Sequence, residues 1–172
     1  RGLASVLSQR DVDLDVVVVG NAWKPVGLPG GVKAKGLAEN LGIPAGRNAG
    51  VSLVEGELLF FLDDDACLPA DDILARMAAQ FAADPTLGMI QPRVVDPQGL
   101  EAPRRWTPRV RVGDPARSGP AMNVWEGAVA IRRDAFEFAD GWPDPFWYAH
   151  EGIELAWRVW DGGFHVRYDG EI

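Results

Sequence analysis

The sequence predicts an α/β protein with a mixed, mostly parallel sheet and flanking helices, and three observations carry that prediction. The runs Val16-Val17-Val18-Val19 and Leu58-Leu59-Phe60-Phe61-Leu62 read as strands buried on both faces. Segments with helical spacing alternate with such runs up to Gln91, the order that builds a parallel sheet. The second run stops abruptly at Asp63-Asp64-Asp65, and strand ends of open α/β sheets are where ligand crevices form.

At 172 residues the chain suits one domain with a sizeable core. Hydrophobic residues at 47% and charged residues at 24% exclude global disorder. A formal charge of −8, from 17 basic and 25 acidic residues, argues against a nucleic-acid or anionic-membrane binder, while leaving room for a local basic site. With Cys67 as the one cysteine and only His150 and His165 beside it, neither an internal disulfide nor a Cys/His metal cluster is available. Cys67 is expected to be a buried, inert thiol. No apolar stretch approaches the ~20 residues that span a bilayer, and no signal peptide is present, so a soluble, cytoplasmic chain is expected.

The elements follow in order. Leu3, Val6 and Leu7 have helical spacing, so the chain opens in an amphipathic helix over 1–10. Val16 to Val19 is a strand stopped by Gly20-Asn21, and Pro25, Pro29, Gly30 and Gly31 make the next segment a loop. Val32 to Leu37 is a short strand. The glycines of Gly42-Ile43-Pro44-Ala45-Gly46-Arg47-Asn48-Ala49-Gly50 allow close backbone approach to a ligand, or mark a plain loop-to-helix junction, and a helix runs from Ala45 to about Val54. Asp71 to Ala83 is a helix with Ile73, Leu74, Met77, Ala78 and Phe81 on one face. Leu87 to Gln91 is a strand.

Between Arg93 and Pro120 periodicity dissolves into prolines and Arg104, Arg105, Arg109, Arg111 and Arg117, either a solvated surface or an anion site for a diphosphate or a phosphorylated acceptor. Val124 to Ile131 is a strand with Trp125, Glu126 and Gly127 near its start, followed by a short helix from Arg132 that stops before Gly141. Residues 141–148 form an aromatic turn. In the helix His150 to Asp161, Ile153, Ala156, Trp157 and Trp160 form the expected core face, with Glu151, Glu154 and Arg158 opposite and Glu154–Arg158 spaced as an ion pair. Gly162-Gly163 ends it, and Phe164 to Tyr168 is a last strand.

Three adjacent carboxylates at a strand end repel one another. A hard divalent cation, Mg²⁺ or Mn²⁺, compensates such a set when substrate phosphates complete its shell. The alternative is a loop that caps the helix beginning near Asp71.

The order of Asn40-x-Gly42, Arg47-Asn48-x-Gly50, Gly56-Glu57, Leu62-Asp63-Asp64-Asp65, Gly127-Ala128 before Arg132-Arg133, Gly141-Trp142 and His150-Glu151-Gly152-Ile153-Glu154-Leu155-Ala156-Trp157-Arg158 resembles family 2 glycosyltransferases, nearest to bacterial, rhamnosyltransferase-like members. The resemblance covers nearly the whole chain. It implies a GT-A fold, a nucleotide-sugar donor, Mg²⁺ or Mn²⁺, and inverting transfer to a saccharide or lipid-linked acceptor in cell-surface polysaccharide or glycolipid assembly. Asp63 and Asp65 are then the ends of an Asp-x-Asp metal motif, with Asp63 also near the donor. Arg47 approaches the nucleotide, Asn48 supports the turn, and Asn21 and Gly127 complete the donor contacts. Glu151 is the first choice of general base and His150 the second, because Gly152 stands where the family places an aspartate. Such acceptors imply the cytoplasmic face of the membrane, without insertion.

The resemblance also divides the single domain of 1–172 into a nucleotide-binding part, 1–91, and an acceptor and catalytic part, 92–172. Gly20-Asn21 stands where the family has a base-binding aspartate. The family's first strand precedes the opening helix, so the chain is expected to be a fragment cropped at both ends, with the edges of Val16–Val19 and Leu58–Leu62 unpaired. Two rival readings stand beside the enzyme: a non-catalytic domain that binds a nucleotide sugar, and a nucleotidyltransferase.

Overall fold

The fold was obtained as a computed structural model that describes residues 1–96, 106–108 and 114–172. Of the five arginines singled out above, Arg117 lies within those residues and Arg104, Arg105, Arg109 and Arg111 lie outside them.

Five helices and seven strands form among the described residues: α1 (Gly2–Leu7), β1 (Val17–Gly20), β2 (Lys33–Gly36), α2 (Ile43–Val51), β3 (Leu58–Leu62), α3 (Ile73–Ala83), β4 (Leu87–Pro92), β5 (Gly119–Pro120), β6 (Ala128–Arg132), α4 (Arg133–Phe138), α5 (Glu151–Asp161) and β7 (His165–Asp169). A 3₁₀ turn, Asp144–Phe146, precedes α5. The main sheet has the order β3-β6-β4-β7-β5; β4 and β7 pair in parallel, while β6 pairs antiparallel with β3 and β4, and β5 with β7. Three of its five strands, β3, β4 and β7, therefore run in one direction. β1 and β2 form a separate parallel pair, and among the described residues β1 and β3 each keep one edge without a ladder partner, as expected above.

Alternation along the strands sorts the core into two layers. Leu58 and Phe60 of β3 and Ala130 of β6 face α3, where Ile73, Met77 and Phe81 are buried. Leu59 and Phe61, with Val129 and Ile131, face α4 and α5. Leu87 and Met89 of β4 are two residues apart yet lie in opposite layers, because the register shifts between them. The result is one helix, a sheet and two helices in three layers. α2 packs on β1, with Gly50 against the side chains of Val17 and Val19.

Three sequence expectations change. The strand expected over 124–131 begins at Ala128, because Glu126 and Gly127 form a turn and the Trp125 N–H bonds to Gln91 Oε1 at 2.6 Å. Cys67 is exposed, since it sits in the loop after the acidic turn and not in a core element. The buried face of α5 is Gly152, Leu155, Ala156 and Val159, one residue out of phase with the expected stripe, and Glu151 is buried with it. Trp157 is 55% exposed and Ile153 only partly covered. The Glu154–Arg158 pair forms as expected, at 2.6 Å.

The shifted phase of α5 has a measurable consequence. Leu155→Ala is expected to cost about 2–5 kcal/mol in urea denaturation, and Trp157→Ala about 1 kcal/mol or less. Equal losses at the two positions would put Trp157 back in the core.

Candidate active site

The site begins at the carboxyl end of β3. The Asp63 N–H donates to the Gly127 carbonyl at 2.9 Å, extending the β3–β6 ladder one step beyond the Leu62–Ala128 pair. The chain then turns, the Ala66 N–H reaching the Asp63 carbonyl at 3.1 Å, which leaves Asp64 and Asp65 exposed at the tip. Gly127 lies beneath the Trp125 ring.

The loop before α2 is held from two sides. Asn21, at the end of β1, donates to the Gly42 carbonyl and accepts from the Leu41 N–H, each at 2.8 Å. Gly42 caps the helix at φ +85°, and a Cβ there would meet the Trp147 carbonyl oxygen at 2.7 Å, so the position requires glycine. The Ile43 N–H donates to that same carbonyl at 2.8 Å, pinning the aromatic turn to α2.

α2 projects two side chains into this region. Arg47 donates to Asp63 Oδ1 at 2.9 Å and to Glu151 Oε1 at 3.2 Å, and its guanidinium lies 4.8 Å from the centre of the Trp142 ring. Asn48 clasps the turn after α4: it donates to the Trp142 carbonyl and to Asp144, and accepts from the Trp142 N–H at 3.0 Å.

The head of α5 closes the site. Trp147, Ala149 and His150 all take positive φ, conformations that cost non-glycine residues of order 1–3 kcal/mol and gather at functional sites. Glu151 is 3% exposed; its Oε1 is held by Arg47 and its Oε2 is buried with no hydrogen-bond partner. His150 is exposed on the rim.

One carboxylate of the site was given no role in the sequence. Glu126 accepts the Gly152 N–H at 2.7 Å, which ties the turn before β6 to the first turn of α5. Burial pushes its carboxyl above the ordinary glutamate range; nearby Glu151 adds to the rise, while hydrogen bonds from its own N–H and that of Gly152, and the Arg47 charge, oppose it. Its signal in the sequence was an acid directly ahead of Gly127 at a strand start.

Arg47, Asp63, Glu151 and Glu126 thus converge from α2, β3, α5 and the turn before β6. Asn21 and Asn48 are engaged in shaping the loops on either side. Among the described residues, no three Asp, Glu, His or Cys side chains converge as a closed metal cage.

The family model for glycosyl transferase family 2 matches residues 1–138. The chain belongs to that family. Arg47, Asp63, Glu126 and Gly127 lie within the matched span, and α5 lies beyond it. Among solved structures, the mannosyltransferase PcManGT from Pyrobaculum calidifontis, in complex with GDP-Man and Mn²⁺, superposes with a TM-score of 0.70 at 20% identity, over 98% of this chain and 51% of that one. S. aureus TarS 1–349 gives 0.72 at 16% identity, over 98% and 55%. GalNAc-T7 with UDP, GalNAc and Mn²⁺ gives 0.62 at 17%, over 82% and 31%. These similarities place this family 2 chain in the GT-A fold, of which it spans about half the length of the first two structures. No curated protein matches the sequence significantly.

The Arg47 bridge carries a stability prediction. Arg47→Met leaves Glu151 as an unpaired buried charge and is expected to destabilise the fold by about 3–5 kcal/mol. Adding Glu151→Gln to Arg47→Met should return part of that loss in urea denaturation. Additive losses would show that the two side chains are not coupled.

Proposed function

We propose that this family 2 domain is the core of a glycosyltransferase that moves a sugar from a nucleotide-sugar donor to a hydroxyl acceptor, with inversion and with a divalent cation. The observation that carries the reading is the Arg47 bridge, which draws the acidic turn after β3 and the head of α5 into one site. The complexes of PcManGT with GDP-Man and Mn²⁺, and of GalNAc-T7 with UDP, GalNAc and Mn²⁺, support the choice of donor class and metal.

The donor set fits such an ion. Asp63 is half-exposed and Asp65 exposed on one short turn, and two hard carboxylates are the share a protein supplies to Mg²⁺ or Mn²⁺ when a diphosphate and waters supply the rest. Asp63 and Asp65 would hold the ion, which supplies neutralisation of the charge that develops on the leaving diphosphate. Arg47 holds Asp63 in place, and Asn21, Asn48 and Gly127 shape the walls of the donor pocket. The head of α5 faces the acceptor, with His150 exposed on its rim, and a carboxylate beside it takes the acceptor proton.

The acceptor is a saccharide or a lipid-linked acceptor of bacterial cell-surface assembly, handled at the cytoplasmic face of the membrane. No described helix is long and apolar enough to cross a membrane, so association there would be peripheral. Gly152 favours a second reading, a domain that binds a nucleotide sugar without turning it over. Mn²⁺-dependent release of nucleoside diphosphate by the full natural chain separates the two; donor binding without release would leave only the second.

A thermal-shift panel of UDP-, GDP- and dTDP-sugars, with and without Mn²⁺, tests donor and metal together. One donor class is expected to raise Tm further with Mn²⁺ than without, and Asp65→Ala to remove the Mn²⁺-dependent part while leaving the ligand-free Tm nearly unchanged. Survival of that part in the variant would refute the metal assignment.

A further inference from the structure

Two acids meet at the head of α5, and their surroundings differ in the respect that matters for chemistry. Glu151 is 3% exposed, with one oxygen on Arg47 and the other sealed, so neither oxygen is open to a substrate. Glu126 is only partly buried and reaches the same spot from the turn before β6, its Oε1 on the Gly152 N–H at 2.7 Å.

The space that Glu126 fills exists because residue 152 has no side chain. A Cβ at Gly152 would lie 2.8 Å from both Glu126 Cγ and Cδ, and 2.6 Å from the Val124 carbonyl oxygen. Contacts that short do not occur between a Cβ and its neighbours, so a side chain at 152 and the observed position of Glu126 exclude each other. Gly152 also supplies the N–H that aims the carboxyl. The next residue, Gly127, holds the Asp63 backbone, so Glu126 is one peptide from the donor end of the site.

We propose that Glu126 is the catalytic residue that accepts the acceptor proton, and that Glu151 is a positioning residue that fixes Arg47. The proposal rests on the glycosyltransfer reading of this site. In the step, the acceptor O–H proton passes to a Glu126 oxygen while the acceptor oxygen bonds to the anomeric carbon. The bond from that carbon to the diphosphate oxygen breaks, and the nucleoside diphosphate leaves with the electron pair. Glu126 then returns its proton to solvent through its exposed side.

The charged groups that bear on Glu126 are Glu151 of α5 and Arg47 of α2. Burial outweighs Arg47 and raises its carboxyl above the ordinary range, which moves a base towards the pH at which it works. Only ionised Glu126 accepts a proton, so the transfer rate is lost as pH falls through this raised value.

The test uses the full natural chain with Mn²⁺ and, as probe donors, GDP-mannose, UDP-N-acetylglucosamine and dTDP-rhamnose, reading nucleoside diphosphate release with water or azide as nucleophile. Azide has no proton to remove. Glu126→Gln, whose amide oxygen can still accept the Gly152 N–H, is expected to slow water-driven release by ~10²–10⁴-fold and to keep azide-driven release within about threefold of the parent. Glu126→Asp should keep part of the water-driven rate. Water-driven release unchanged in Glu126→Gln, or both reactions lost together, would overturn the assignment. A parent chain that binds a donor yet releases nothing from any of the three overturns the glycosyltransfer reading and this inference with it. A second measurement needs no substrate: in carboxyl ¹³C NMR, the glutamate signal missing from Glu126→Gln is expected to titrate above the ordinary glutamate range. Titration of that signal within the ordinary range would equally overturn the proposal.

Discussion

The interaction on which the rest depends is the fork of Arg47. One guanidinium, 11% exposed, reaches Asp63 at the end of β3 and Glu151 at the start of α5, residues 16 and 104 positions away along the chain. A planar, permanently charged fork can hold two carboxylates at fixed separation, which an ammonium cannot. Arg47 in turn stacks on Trp142, and Trp142 meets Phe61 of β3 edge-on at 5.2 Å. The ring is fully buried, so the position of the ion pairs is set by the hydrophobic core and not by surface rotamers. Core and site are therefore one mechanical unit, with Phe61 on β3 and Asp63 just beyond the strand's end contributing to each.

Glycine and strained backbone complete that unit. Gly42 lets α2 begin against the Trp147 carbonyl, and Gly152 lets the turn before β6 approach α5. Between them the chain passes through positive φ at Trp147, Ala149 and His150, which turns it sharply into α5 and delivers Glu151 at once to Arg47. The Asn48 clasp on residues 142–144 holds the preceding turn still. Each of these features is local in the sequence, and each is satisfied only by a partner from a distant segment.

That distinction explains what could be read from the sequence. β1, β3, β4 and α3 were legible because unbroken apolar runs and a wide helical stripe identify themselves without reference to a partner. The phase of α5 was not, since Ile153, Ala156, Trp157 and Trp160 satisfy the same spacing as Gly152, Leu155, Ala156 and Val159, rotated by one residue. Two tryptophans weighed more than a glycine and a buried glutamate. The deciding fact is that Glu151 has Arg47 to meet inside, a contact across 104 residues. Glu126 is inconspicuous in the sequence for the same reason: its partner, the Gly152 N–H, lies 26 residues on. Asp63 was legible because a carboxylate run that terminates a buried strand is conspicuous in one dimension.

The charge balance around Arg47 bears directly on how such a site handles a phosphate. Asp63 and Glu151 already occupy the fork of Arg47, the charge of Glu126 also bears on it, and Asp64 and Asp65 stand exposed on the adjoining turn. A diphosphate brought to this turn adds like charge, and two like unit charges 5 Å apart repel by about 3 kcal/mol at an effective dielectric of 20. Arg47 is enclosed between its acids and Trp142, so reaching a diphosphate would mean giving up pairs that hold α2, β3 and α5 together. For the proposed donor, the favourable solution would leave Arg47 as the structural cation and give the phosphates a separate, mobile positive charge, a divalent ion on Asp63 and Asp65. The same reasoning separates the acids by task. On the proposed glycosyltransfer, those on the exposed turn would meet the donor, Glu151 is tied up by Arg47, and Glu126, raised by burial and only partly buried, would be the carboxyl left to exchange a proton.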